Sequence, residues 1–230
     1  MSADDWAKVG AASGLVFVLA LVATFIFGPG LDPPGFNEPG QIVSYVQDNQ
    51  DELQSATALG TAAGAAFLLF LGSVVLALRS AEGAPGRLSA AAAAGGIAFI
   101  ALAGIGVATH QAAAVTTLRD LPLDGGDVRS LWDTGVAAFA LSGLGFAVLA
   151  WAAGVLTLRS GALPKPLGLF SIVAAVFVLG VSIFGAFQQT GAFSPYDGLL
   201  SLISLLVIVV WVGVISLALI ANPTYKRARR

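Results

Sequence analysis

The chain has no cysteine, a single histidine and very little charge. The missing thiols exclude disulfides, thiolate metal sites and thiol catalysis, and one histidine excludes a multi-histidine haem or metal centre. No metal site and no cofactor is expected. Only 10% of the 230 residues are charged, against about 25% in soluble chains, so a water-soluble globule is excluded. The formal net charge of −2 provides no basic footprint for nucleic acid. What the chain has instead is apolar length: 57% of its residues are hydrophobic.

Uninterrupted apolar stretches occur at Trp6–Phe27, Leu53–Leu78, Leu88–Val115, Val136–Leu158, Leu167–Phe187 and Leu199–Ala221. A helix rises 1.5 Å per residue, so about 20 residues cross a hydrocarbon layer of roughly 30 Å. None of the stretches alternates with period two, and unpaired backbone cannot face lipid, so all are read as helices. The expected fold is all-α: one polytopic domain over 1–230, with six transmembrane helices.

Lys and Arg are retained on the cytoplasmic side of a membrane. An N-terminus-inside assignment places Lys8, Arg79, Arg87, Arg159, Lys165, Lys226, Arg227, Arg229 and Arg230 on one side and only Arg119 and Arg129 on the other. The same assignment puts Asp32, Glu38, Asp48, Asp51, Glu52, Asp120, Asp124, Asp127, Asp133 and Asp197 outside. Both termini are therefore expected in the cytoplasm of a bacterial plasma membrane, with a basic tail at 222–230. Asp4 and Asp5 beside Lys8, and a long apolar run, mark the first segment as a retained span rather than a signal peptide.

Two stretches repeat. Val75-Leu-Ala-Leu-Arg-Ser and Gly154-Val-Leu-Thr-Leu-Arg-Ser each end a span and turn through Gly and Pro into the next. Asn49, Ser130 and Ser194 each precede an acid by three residues, the spacing of a capping box. These matches read as a duplicated helical hairpin, 49–111 repeated as 130–189 in the same orientation. Glycines such as Gly10, Gly14, Gly60 and Gly64 allow close helix contact in lipid, within one chain or between two copies in a homo-oligomer. In the first external loop, Glu38–Asp48 carries Ile42, Val43, Tyr45 and Val46 on one face, and Asn37 is placed to cap it. This reads as an amphipathic helix lying on the membrane surface or across the bundle mouth.

No ionisable residue lies near the middle of a span, which removes the usual signature of coupled ion transport. The polar residues worth following sit at the outer ends: His110, Gln111, Asp133, Gln188 and Gln189. His110 stands out because an imidazole ordinarily titrates at about 6.5. Asp133 and Asp197 could form a carboxylate pair for acid–base work, with His110 as a third partner, but their capping spacing already accounts for them. Trp6, Trp132, Tyr45, Tyr196 and Tyr225 fall near expected interfaces and read as anchors. Trp151 and Trp211 read as packing residues.

The Ile42-x-x-Tyr45-x-x-Asp48-Asn49 pattern before the second span and the Leu158–Lys165 turn before the fifth resemble a group of actinobacterial-type six-span integral membrane proteins known as a domain of unknown function. The resemblance implies a six-helix fold and a plasma-membrane address, and it brings no active-site residues. The leading expectation is a non-enzymatic protein in the lipid bilayer that binds a small molecule, lipid or protein partner at the external mouth. A transporter or channel for a small solute is the alternative, and an intramembrane enzyme with an outer-face site is third.

Overall fold

In a computed structural model, residues 3–29, 41–117, 125–188 and 190–221 are described. They form seven helices: α1 (Ala3–Phe27), α2 (Gln41–Asp48), α3 (Gln50–Glu82), α4 (Arg87–Thr117), α5 (Gly125–Ser160), α6 (Lys165–Gly185) and α7 (Leu199–Ala221). There is no strand among the described residues. All but α2 are long and apolar enough to cross a membrane, which makes the chain a multi-pass membrane protein. Several helices run past the apolar stretches that announce them. The largest extension is in α5, which starts at Gly125 rather than at Val136, because a helix need not end where its side chains turn polar.

The long helices close into a ring in which α1 packs on α3 and α7, α3 on α4, α4 on α5, α5 on α6, and α6 on α7. Phe67, Phe99, Phe146, Trp211 and Phe70 occupy its middle. Consecutive rings lie 5.0, 5.9, 5.2, 6.3 and 5.9 Å apart, so the contacts form a closed circuit contributed by four helices. Most are tilted or edge-on, the favoured aromatic geometry. Trp211 Nε1 donates to Ser171 Oγ at 2.8 Å, which satisfies the one polar atom of that circuit.

Small residues set the helix spacing. A Cβ on Gly145 would meet the backbone of Gly95 and Phe99, so α4 and α5 touch main chain to main chain. Gly10 faces Ser73 on α3, and Gly14 faces Ser216 on α7 and Phe70 on α3. The glycine spacing at Gly10 and Gly14 is thus used within one chain. These contacts also bring the start of α1 and the end of α7 to the end of the bundle that carries the 83–86 and 161–164 turns.

At that end, Gly83 (φ 76°) and Gly161 (φ 67°) close α3 and α5 in the left-handed region that glycine tolerates. Glu82 then bridges the first turn, accepting the backbone N–H groups of Leu88 and Ser89 at 2.8 Å each and capping α4. The opposite end carries α2, the first turns of α3 and α5, and the 186–198 connection.

Helix α2 lies across this second end, touching α3, α4 and α5. Its Ile42 and Val46 are fully buried against Leu53, Ala113, Ala114, Val128, Trp132 and Val136, in a cluster separate from the main core. The apolar face therefore points into the bundle mouth and not into lipid. Burying these two side chains contributes roughly 3–6 kcal/mol as an upper bound. Residues 38–40 of the expected 38–48 helix, and Asn37, lie outside the described residues.

Two of the three capping boxes do not form as expected, and the third is displaced. Asn49 occupies the N-cap of α3, but its side chain donates to Tyr45 O at 2.8 Å and caps nothing in α3. Ser130 sits inside α5, where its hydroxyl donates to Gly126 O. Ser194 accepts from the backbone N–H groups of Tyr196 and Asp197 at 3.2 and 3.5 Å, so it caps a turn that ends before α7 begins.

Candidate functional site

The α2 end gathers most of the polar side chains singled out from the sequence, but divides them into three groups. The first is built on His110, near the end of α4. Its ring stacks on Trp132 of α5 with centroids 4.1 Å apart and planes 10° from parallel, and Phe139 meets it edge-on at 5.5 Å. His110 Nε2 lies 3.2 Å from the backbone carbonyl oxygen of Trp132. A carbonyl only accepts, so Nε2 carries the proton in this contact. Gly135 makes room for the arrangement, because a methyl group there would overlap Cδ2 and Nε2 of the ring and Thr109 Oγ1.

Trp132 is 4% exposed. This corrects the reading of it as an interfacial anchor: α5 begins far enough upstream to turn the indole under α2. Tyr45 of α2 closes the stack edge-on at 5.6 Å, and its hydroxyl donates to Pro29 O at 3.2 Å. The other tryptophans divide plainly. Trp6 and Trp151 are exposed on the outside of the bundle, and Trp211 is fully buried. Tyr225 lies outside the described residues.

The second group centres on Asp133. Arg129, one helical turn earlier on α5, places Nε 2.8 Å from Asp133 Oδ1 and 2.9 Å from Oδ2. Tyr196, from the connection to α7, donates its hydroxyl to Asp133 Oδ1 at 2.9 Å, and the guanidinium carbon lies 5.5 Å from the Tyr196 ring centroid. Burial, and then the adjacent Asp133 carboxylate, push the Tyr196 phenol up to about 12. Asp133 is an ion-pair and pinning residue within α5, not a helix cap. No hydrogen bond joins it to His110, so the imidazole–carboxylate pair expected of an acid–base site is not formed.

The third group ties α3 to α4. Gln111 Oε1 accepts from Thr57 Oγ1 at 3.0 Å, and Gln50 Nε2 donates to Thr117 Oγ1 at 3.2 Å. Gln188 is exposed after the end of α6, and no hydrogen bond links its side chain to His110, Gln111 or Asp133. Gln189 lies outside the described residues.

Sequence reasoning put Arg129 outside and Tyr196 near an interface but joined neither to Asp133, and it did not single out Phe139 or Gly135. The Arg129/Asp133 spacing of four was readable as a helical pair once α5 is allowed to start at Gly125. Gly135, one turn after Trp132 on the same face, is the only local sign that something large sits beside it. Among the described residues, no group of three or more His, Asp or Glu side chains could hold a metal ion. Comparison with protein-family models, with curated proteins and with solved structures returned no match.

Proposed function

We propose that this multi-pass protein resides in a bacterial plasma membrane with both termini in the cytoplasm, and that its outward, α2-bearing face binds a small molecule, lipid or protein partner without converting it. The observation that carries the reading is the second apolar cluster beneath α2, with an imidazole and an indole stacked at its edge. Among the described residues, the opposite end joins its helices by two short turns, 83–86 and 161–164. The charge distribution supports the orientation: Lys8, Arg79, Arg87, Arg159 and Lys165 lie at the turn end, and Arg129 at the α2 end. The Ile42–Asn49 pattern and the Leu158–Lys165 turn, similar to those of actinobacterial-type membrane proteins, favour the same address.

A non-enzymatic role fits the separate engagement of His110 and Asp133, each held by other partners. Passage of a polar solute needs a wet path, whereas the centre of this ring is filled by aromatic side chains. The test is native mass spectrometry of the protein released from lipid nanodiscs, wild type beside His110→Ala. A bound species retained by the wild type and lost from a still helical His110→Ala supports the reading. Equal retention by both proteins, or none by the wild type, contradicts it.

A further inference from the structure

Trp132 is almost completely buried, and among the described residues its indole Nε1 has no hydrogen-bond partner. A buried donor of this kind calls for an acceptor that the described chain does not supply. The ring stacked on it has the complementary vacancy. With His110 Nε2 donating to Trp132 O, Nδ1 of a neutral imidazole is an acceptor, and among the described residues no hydrogen bond reaches it. One stacked pair thus offers one donor and one acceptor.

The surroundings define what can meet them. Ile42, Val46, Leu53, Val128 and Val136 provide apolar walls. The nearby cation, Arg129, already has its charge offset by Asp133, whose two carboxylate oxygens both meet its Nε. A charged head would therefore enter an apolar cluster with no counter-ion of its own. A hydroxyl both accepts and donates, and an apolar tail suits the walls and the adjoining lipid.

We propose that α2 is a movable cover over a site for an uncharged, hydroxyl-bearing membrane amphiphile, whose head accepts from Trp132 Nε1 and donates to His110 Nδ1. The proposal rests on the outward-face binding reading and narrows it to a ligand class. Helix α2 suits the role of a cover because its buried residues belong to a cluster separate from the main core. It can lift while the aromatic circuit stays packed.

The test uses the full chain in phosphatidylcholine nanodiscs, with 1-monooleoylglycerol as the hydroxyl probe and methyl oleate, which accepts but cannot donate, as its comparison. The Trp132 indole 1H–15N signal, assigned by its loss in Trp132→Phe, moves downfield on addition of 1-monooleoylglycerol. The loss of one hydrogen bond weakens binding about tenfold, both for Trp132→Phe with this probe and for wild type with methyl oleate. Because the chain has no cysteine, a single Ala113→Cys in the covered cluster reports access: maleimide labelling is slow, and slower still with the probe bound. An unmoved indole signal, equal affinities, or an indole already bonded to water alone overturns the proposal. If a native ligand is retained equally by wild type and Trp132→Phe, this site falls while outward-face binding stands. If the wild type retains nothing and the probe moves no signal, both fall.

Discussion

Gly135→Ala is the smallest change that acts on His110 without touching it. The added methyl would overlap Cδ2 and Nε2 of the imidazole and approach Thr109 Oγ1 to 2.7 Å. Gly135 lies inside α5, well past its first turn, and cannot retreat, so the ring moves. Movement breaks the 3.2 Å contact between Nε2 and Trp132 O and the 4.1 Å stack. The hydrogen bond contributes about 0.5–1.5 kcal/mol and the stack a further ~0.5–1.5 kcal/mol, offset by about 1 kcal/mol because alanine favours a helix over glycine. The net loss of stability is therefore small, about 0–2 kcal/mol on these figures, while the local change is large. His110 is the only histidine, so its carbethoxylation by diethyl pyrocarbonate, followed near 240 nm, reports this site alone. Gly135→Ala should react several-fold faster than wild type and alter tryptophan emission. Gly180→Ala, where a Cβ meets nothing within 4 Å, should do neither. Unchanged reactivity of a folded Gly135→Ala protein would refute the argument that this glycine seats the ring.

Three further outcomes follow from the same geometry. Gly145→Ala should destabilise the bundle by about 1–3 kcal/mol through overpacking of α4 against α5, while Gly180→Ala stabilises it slightly; SDS titration of helicity ranks the two, and a Gly145→Ala protein as stable as Gly180→Ala would count against the main-chain contact. Ser171→Ala leaves Trp211 Nε1 without its acceptor in a buried position and should cost about 1–3 kcal/mol, checked by the same titration and contradicted by a wild-type midpoint. For Tyr196, the folded pKa lies above the ordinary value of 10, so its contribution to holding the 186–198 connection is complete below about pH 10 and is lost as pH rises through about 12. The 295 nm difference between wild type and Tyr196→Phe should show a phenol titrating near the upper value, and one titrating at the ordinary value would remove the Asp133 contact from the account.

The spans were legible because lipid imposes a simple condition, about 20 apolar residues in a row; five of the six long helices contain the stretches that announced them, and α6 ends at Gly185, two residues short of the expected Phe187. The α2 face was less legible for an equally physical reason. Hydropathy marks where a helix enters the hydrocarbon, not where it begins, so the polar first turns of α5 read as a loop with a cap at Ser130. That one misplacement turned Asp133 from a partner of Arg129 into a capping acid and Trp132 from a buried ring into an interfacial one. The pairing of His110 with Trp132 joins two different helices, and only Gly135 hints at it locally. Tyr196 reaches Asp133 from the connection between α6 and α7, 63 residues further along the chain, a contact that no local spacing announces.

A chain without cysteine allows a bundle of six membrane-crossing helices with α2 facing outward to be tested residue by residue. Single Ser44→Cys, exposed on α2, and single Ser160→Cys, exposed at the end of α5, should be compared in intact cells with a membrane-impermeant maleimide. Ser44→Cys should label at once and Ser160→Cys only after the membrane is permeabilised. Labelling of Ser160→Cys in sealed cells, or protection of Ser44→Cys there, would contradict the orientation on which the proposed site depends.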